Sequence, residues 1–247
     1  TELTIMADAR ESFNDVGAEV MISSYDHVAI AFDKYRTYRF FKTIGIPTPE
    51  THLVDELVRH KDYKEQYKSL FPALLKPRYG SAGQGIFDCA DMEHVLFLHS
   101  RGQLQDYVLQ KKLASVEITT DVMGDGEGKL YGSVQHRRLK IRGGEVERGV
   151  TVKHDLLFKY TEQFTRQYKP YGVVNIQCFY DKNKDKAYYI EINPRFGGGF
   201  PLAYHAGANF PGLIRSLIAE QEITENSCDY DDGLIMTRYD SAVYFKP

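Results

Sequence analysis

The chain has 247 residues, 43% hydrophobic and 26% charged, with 31 Lys and Arg against 34 Asp and Glu for a formal net charge of -3. Those proportions suit one globular domain with a sizeable core, and they exclude both a disordered chain and a small scaffold that depends on staples. The mild acidity gives no global attraction to nucleic acid or anionic lipid, so any basic site must be local.

In chain order, Asp33 opens a helix to Ile44, because Tyr35, Tyr38, Phe41 and Ile44 recur every three residues along one stripe. Asp33 is a natural N-cap and Gly45 a natural residue just past the C-terminus. Pro47 and Pro49 then forbid continuation. A second helix is expected from about Asp55 to Leu70, a short buried strand at Ala73 to Lys76, a loop from Gly80 to Gly85 and another strand at Ile86 to Cys89. Asp91 caps a helix to about Ser100. Extended runs follow at Tyr107 to Leu113, Val116 to Met123, Leu130 to Ile141 and Glu145 to Lys153, separated by glycine-rich turns and read as antiparallel strands. A helix from Asp155 to Tyr168 precedes a hairpin of Gly172 to Tyr180 and Ala187 to Asn193 around a charged turn. Helical segments near Leu202 to Ala208 and Pro211 to Glu220 finish the core, and residues from Thr224 onward read as irregular or extended.

Cys89, Cys178 and Cys228 are widely spaced and in no CxxC pattern, which points away from a disulfide framework or a structural zinc and towards a reducing, cytoplasmic setting. The longest stretch free of charged residues, Phe196 to Ile214, holds five glycines and two prolines, so no membrane span is expected. The first residues lack the basic flank and apolar run of a secretory signal, and the chain opens on Thr rather than Met, as a fragment would.

The hairpin is the most informative element. Asn175 and Gln177 share one strand face, and Glu191 and Asn193 share one face of the partner. If Gln177 opposes Glu191, Asn175 opposes Asn193, which requires an odd-length turn centred near Lys184; a slip of one residue breaks the set. Such a face is either the solvated side of an edge hairpin or a group of oxygen ligands suited to Mg²⁺, which takes few protein oxygens and keeps water and phosphate. Arg195, two residues beyond, reaches the same region as a clamp on phosphate or carboxylate.

Lys76 precedes a loop with glycines at 80, 83 and 85, which is either a plain hairpin turn or a backbone cradle for phosphate; it matches neither the P-loop nor the dinucleotide fingerprint. His136 to Arg142 is the one dense basic run, placing Arg138, Lys140 and Arg142 on one face of a strand, either as a line of cations near an anionic substrate or as a solvated face. Nucleic acid is disfavoured, since 18 tyrosines occur without a single-strand recognition motif in an acidic chain. There is no G-x-S-x-G, no activated cysteine and no metal-like histidine pair.

In order and spacing these segments resemble the ATP-grasp superfamily, and within it the carbamoyl-phosphate synthase large-chain type of domain, from Asp33 to about Ile214. Asp33-Lys34 with Gly45 to Thr51 looks like the family's opening segment, and Lys76-Pro77 with Gly80-Ser81-Ala82-Gly83-Gln84-Gly85 like its strand lysine and phosphate loop. Leu109-Gln110-Lys111-Lys112-Leu113 through Glu117 resembles the segment that crosses the adenine and supplies a ribose-binding glutamate. Asn175-Ile176-Gln177 and Ile190-Glu191-Ile192-Asn193-Pro194-Arg195 look like the metal-ligand strands.

The resemblance implies an α+β fold, a small lobe over a larger antiparallel sheet with the nucleotide between them. It implies contacts to ATP from Lys34, Lys76, Gly80, Ser81, Ala82, Gly83, Gly85, Gln110, Lys111, Leu113 and Glu117, Mg²⁺ (or Mn²⁺) on Gln177, Glu191 and Asn193, and Arg195 with Arg138 on the transferred group. Residues 1–32 would be the remnant of a preceding αβ domain with Val20 to Ser24 as its last strand, 33–110 the small lobe and linker helices, and 111–247 the large lobe. Lys111 departs from the family, where a glutamate follows the glutamine of the adenine segment. The implied activity is ATP-dependent activation of a carboxylate as an acyl phosphate for attack by an amine or other nucleophile. The alternatives are phosphorylation of carbamate or bicarbonate, and a nucleotide-binding regulatory module without turnover.

Overall fold

Four helices begin at a side-chain cap, from Ser24, Asp33, Asp91 and Asn209. The computed structural model describes residues 2–59, 66–80, 83–223 and 229–245. Helices α1 (Glu2–Asp8), α2 (Arg10–Asn14) and α3 (Tyr25–Phe32) lead to α4 (Lys34–Thr43). Asp33 caps α4 by accepting from the Tyr35 and Arg36 amides at 3.0 and 3.2 Å, and Gly45 follows at φ +74°. Val20–Ser24, expected as a strand, pairs with no other segment among the described residues, so it lies outside both sheets.

A four-stranded antiparallel sheet has the order β1-β4-β2-β3, formed by β1 (Thr51–Leu53), β2 (Ala73–Pro77), β3 (Phe87–Cys89) and β4 (Tyr107–Lys111). The helix expected over 55–70 is not continuous. A short α5 (Val54–Leu57) ends in a turn, residues 60–65 lie outside the described residues, and a 3₁₀ turn follows at Lys68–Leu70. Leu57, Leu70, Leu75, Leu109 and, from α6 (Met92–Ser100), Val95 fill the core beneath this sheet.

The larger sheet has six antiparallel strands in the order β10-β7-β6-β5-β8-β9. They are β5 (Val116–Asp125), β6 (Leu130–Arg142), β7 (Glu145–Val152), β8 (Tyr171–Asp181), β9 (Lys186–Asn193) and β10 (Ile235–Thr237), the last being order within a tail expected to be irregular or extended. Strand alternation gives the sheet two different faces. Ile118, Val122, Val174, Ile176, Tyr189 and Ile192 pack against α4 and α7 (Asp155–Tyr168) through Phe41, Phe164 and Tyr168. On the other face Met123, Val134 and Val173 lie under α8 (Phe200–His205) and α9 (Phe210–Ile218). Glu117, Thr119, His136, Arg138, Asn175, Gln177 and Phe179 continue that second face beyond the helices, where it is the floor of a cleft.

The hairpin β8–β9 shows the expected pairs, Asn175 with Asn193 and Gln177 with Glu191, but by another route. Its turn is even, with Asp181 opposite Lys186, so the ladder near the turn is out of step by one residue; a bulge between Gln177 and Cys178 leaves Ile190 without a partner and restores the pairing. An extra residue in one strand re-aims side chains locally, and Ile190 and Glu191 both line the cleft.

Asp33 also joins the lobes. Its carboxylate accepts from Arg78 Nε at 2.9 Å and from Nη2 at 2.7 Å, just past β2. Removing it takes away a helix cap and leaves Arg78, a quarter exposed, without its partner. We expect Asp33→Ala to lower stability by roughly 2 to 3 kcal/mol, a cap loss plus part of a broken ion pair. Asp33→Asn, which keeps the cap, should recover about half of that. Urea denaturation midpoints of the two variants give the comparison.

Candidate active site

The cleft between the two sheets encloses about 610 Å³ and draws polar side chains from both. From the small sheet, Lys76 points in from β2 with 8% exposure, and its ammonium donates to Gln110 Oε1 at 2.7 Å. Gln110 Nε2 donates to Thr51 Oγ1, which donates to the Pro49 carbonyl, so a chain of bonds holds the lysine in place. Burial pushes the Lys76 amine down to about 8, with Lys34 acting the same way and the Glu191 and Glu117 charges opposing. Lys34, first residue of α4, donates to the Gly80 carbonyl at 2.8 Å, and burial lowers its pKa as well. Two desolvated ammonium groups thus face one cavity beside a glycine loop, an arrangement that gains from a polyanion between them.

From the large sheet, Glu191, Asn193 and Gln177 stand together on β9 and β8. The Gln177 carboxamide nitrogen donates to Glu191 Oε2 at 3.0 Å and Glu117 Oε1 at 3.2 Å; turned over, the same group places Oε1 at that point, beside the Glu191 carboxylate, where the two can share a cation. Asn193 Nδ2 donates to Asn175 Oδ1 at 3.2 Å, which turns Asn193 Oδ1 away from that bond. Among the described residues no cluster of three or more His, Cys, Asp or Glu could hold a metal by itself. One carboxylate with two carboxamides instead fits a hard cation that keeps water and phosphate oxygens, as Mg²⁺ does.

Most of the expected site residues converge here. Lys34, Lys76, Gly80, Gly83, Gln110, Glu117, Arg138, Gln177, Glu191, Asn193 and Arg195 line the cleft. Ser81 and Ala82 lie outside the described residues. Gly85 does not line it; its carbonyl accepts from Tyr107 Oη at 3.1 Å and its Cα faces the Pro77 ring. Lys111 and Leu113 do not line it either, because alternation on β4 turns Gln110 inward and Lys111 to solvent, and the strand ends before Leu113.

Arg138 is committed elsewhere than expected. Its Nη1 lies 2.5 Å from Glu117 Oε1 across β5 and β6, and its Nη2 donates to the Gly144 carbonyl at 2.7 Å. The expected line of cations is broken. The β6–β7 ladder is irregular between Arg138 and Ile141, so alternation restarts and Ile141 lines the cleft, while Lys140 pairs with Glu147 and Arg142 with Asp240 outside it. Arg195 is exposed and spends one bond on the Phe196 carbonyl.

Residues that sequence reasoning passed over include Thr119, His136, Phe179, Leu74 and Ile86. Phe179 was legible, since it continues the Asn175, Gln177 alternation by one step. His136 was not, because its neighbours come from other strands. Among the described residues no helix is long and apolar enough to cross a membrane, and Cys89 and Cys178 are buried free thiols.

Residues 103–240 match the family model described as ATP-grasp in the biosynthetic pathway with Ter operon. The carbamoyl phosphate synthase large chain of Archaeoglobus fulgidus is 26% identical over 214 residues, 80% of this chain and 19% of that one. That of Clostridium acetobutylicum is 24% identical over 201 residues, 75% of this chain and 18% of the other. This chain therefore spans about a fifth of the length of these relatives. Among solved structures, the biotin carboxylase domain of Hydrogenobacter thermophilus 2-oxoglutarate carboxylase, in complex with MgADP, ADP and bicarbonate, superposes with a TM-score of 0.74 at 18% identity, covering 94% of this chain and 55% of that one. N5-carboxyaminoimidazole ribonucleotide synthetase from Thermus thermophilus superposes with a TM-score of 0.66 at 19% identity, covering 91% and 61%.

Proposed function

Because the chain belongs to the ATP-grasp family, we propose that it is an ATP-dependent ligase, activating a carboxylate as an acyl phosphate that an amine or another nucleophile then attacks. One observation carries this reading: two desolvated lysines, Lys34 and Lys76, face the Glu191, Gln177 and Asn193 oxygen set across a single cleft. Polyphosphate between lysines and a carboxylate-bound cation satisfies both sides at once.

In this reading Lys76 and Lys34 bind the phosphates, and Leu74, Ile86, Phe179 and Ile190 supply apolar surface for the base. Bound Mg²⁺, with Mn²⁺ as a substitute, would neutralise developing phosphate charge from Glu191, Gln177 and Asn193. Arg195 orients the carboxylate of the substrate as a planar clamp, and Arg138 orders Glu117 for the ribose. Positioning and charge stabilisation supply the rate enhancement, so no protein nucleophile is required. The division proposed for the chain is 1–32 as an N-terminal attachment, 33–110 as small lobe and linker helices, and 111–247 as large lobe, with α4 a linker helix because Phe41 packs into the core of the larger sheet. Its substrates are proposed to be ATP and a small carboxylate, with neither nucleic acid nor membrane as partner, in the cytoplasm. The relatives named above favour a second reading, phosphorylation of bicarbonate or carbamate at the same cleft.

Thermal unfolding with Mg²⁺ alone, MgATP, MgADP and MgGTP tests the nucleotide reading. At a ligand concentration of about 100 Kd, binding adds about 2.7 kcal/mol, a rise in Tm of roughly 5 to 10 °C for a chain of this size. We expect that rise with MgATP and its loss on chelation of Mg²⁺; an unchanged Tm with all nucleotides overturns the reading.

A further inference from the structure

Gly197, Gly198 and Gly199 cross the cleft face where its open half meets the half covered by α8 and α9. A Cβ on Gly197 would stand 3.1 Å from Asp121 Oδ1, one on Gly198 would overlap the Glu145 carboxylate, and one on Gly199 would overlap the His136 ring. The run is a backbone cover fitted directly onto polar side chains. Beneath it Asp121 and His136 are completely buried, with Oδ2 and Nε2 3.2 Å apart. Their alignment falls short of a hydrogen bond, and both carboxylate oxygens and both ring nitrogens are buried without a partner. Folding gains nothing from such a pair, since each unsatisfied group has lost its water for no bond. Catalytic pairs, however, are commonly misaligned before substrate binds.

Nothing in nucleotide binding uses these two residues, yet His136 lines the cleft. Ligation needs a group that takes a proton. As the acceptor's lone pair forms the bond to the acyl carbon, the carbon–oxygen bond to phosphate breaks with its electrons on the phosphate, and the acceptor sheds a proton. We propose that His136 is the catalytic residue that takes this proton, that Asp121 is its positioning residue, and that the Gly197–Gly199 cover shifts to admit the acceptor. The proposal rests on the ligase reading above. Asp121 accepts from Nε2–H, leaving Nδ1 as the basic atom; the imidazolium formed is balanced by the Asp121 charge, and the proton then passes to water. The charges around the ring are Asp121 and Glu117 on β5, Arg138 on its own strand and Glu145 on β7, with Thr151 opposite on β7 neutral and Arg238 bonded to the Gly198 carbonyl above.

The test separates the two half-reactions. A panel of amino acids and dicarboxylates is offered with MgATP and either hydroxylamine, a strong nucleophile that needs no base, or ammonia. We expect His136→Asn to form hydroxamate within about twofold of the parent while amide formation falls about 10²-fold or more and loses its acid limb in the pH profile. Asp121→Asn should fall in the same direction with the limb displaced. Equal amide formation by parent and His136→Asn overturns His136 and leaves the ligase reading standing. Absence of hydroxamate from the parent with every carboxylate overturns the ligase reading and this proposal with it. Nitrogen-15 NMR of the parent imidazole needs no variant: an Nε2–H tautomer is expected, and an Nδ1–H tautomer that persists from acid to alkaline pH overturns the role.

Discussion

Glu191→Ala should abolish the Mg²⁺-dependent binding of nucleotide while leaving the fold in place. Glu191 is the single carboxylate of the proposed ligand set, beside two neutral carboxamides, so its removal deprives a divalent cation of the only formal charge among those ligands. It is half-buried at the mouth of the cleft and forms no core contact, so unfolding of the apo variant should move by less than about 1 kcal/mol. The expected rise of roughly 5 to 10 °C with MgATP should shrink to near zero. Glu191→Gln, which keeps the shape and drops the charge, should behave like the alanine variant. Equal MgATP affinity in variant and parent by calorimetric titration would remove Glu191 from the site.

Lys76→Met should raise the stability of the apo chain at neutral pH and cripple phosphate binding, opposite signs from one substitution. The Lys76 amine is pushed down to about 8, first by burial and further by Lys34, with Glu191 opposing. A lysine with a depressed folded-state pKa destabilises the fold most below that value, where it is charged in both states. As pH rises from about 8 towards 10, the folded chain loses the proton first while the unfolded chain keeps it, so stability rises with pH. Comparing parent with variant cancels the other titrating groups, and the parent should gain about 2 kcal/mol on the variant over that window, enough to offset the variant's lead at pH 7. At pH 7 the net gain of the methionine variant should be nearer 1 to 2 kcal/mol, roughly, since Gln110 Oε1 loses its donor. Nucleotide affinity should fall about 10- to 100-fold, the worth of a charge-assisted bond to phosphate. A parent whose stability relative to the variant does not change between pH 8 and 10 would place Lys76 in a wetter site than the structure shows. The trade is of a kind expected where a site holds charge ready for a ligand.

Much of the cleft was legible along the chain because its parts are local. Asn175, Gln177, Glu191 and Asn193 obey strand alternation on two neighbouring strands of one hairpin, and Lys76 lies at a strand end beside its own loop. Capping residues and glycine turns marked α4 and α6 closely for the same reason. The hairpin was nonetheless right by a route that the sequence does not display. The turn is even, and a bulge at Ile190 makes good the one-residue slip. Alternation cannot announce a bulge, since the extra residue is defined only by what its partner strand lacks.

What the sequence by itself determined is therefore most of the elements between Ala73 and Ile218, the oxygen ligands on the hairpin and the lysine that faces them, all consequences of local periodicity and backbone chemistry. Tertiary structure alone decided the rest. It gave Arg138 to Glu117, broke the run Arg138, Lys140, Arg142 at an irregular ladder, turned Lys111 to solvent, and set Asp121 beside His136 under the glycines at 197 to 199, far along the chain from both. In each case the deciding contact is between side chains on different segments. Its geometry depends on register and burial, which no single stretch of chain carries.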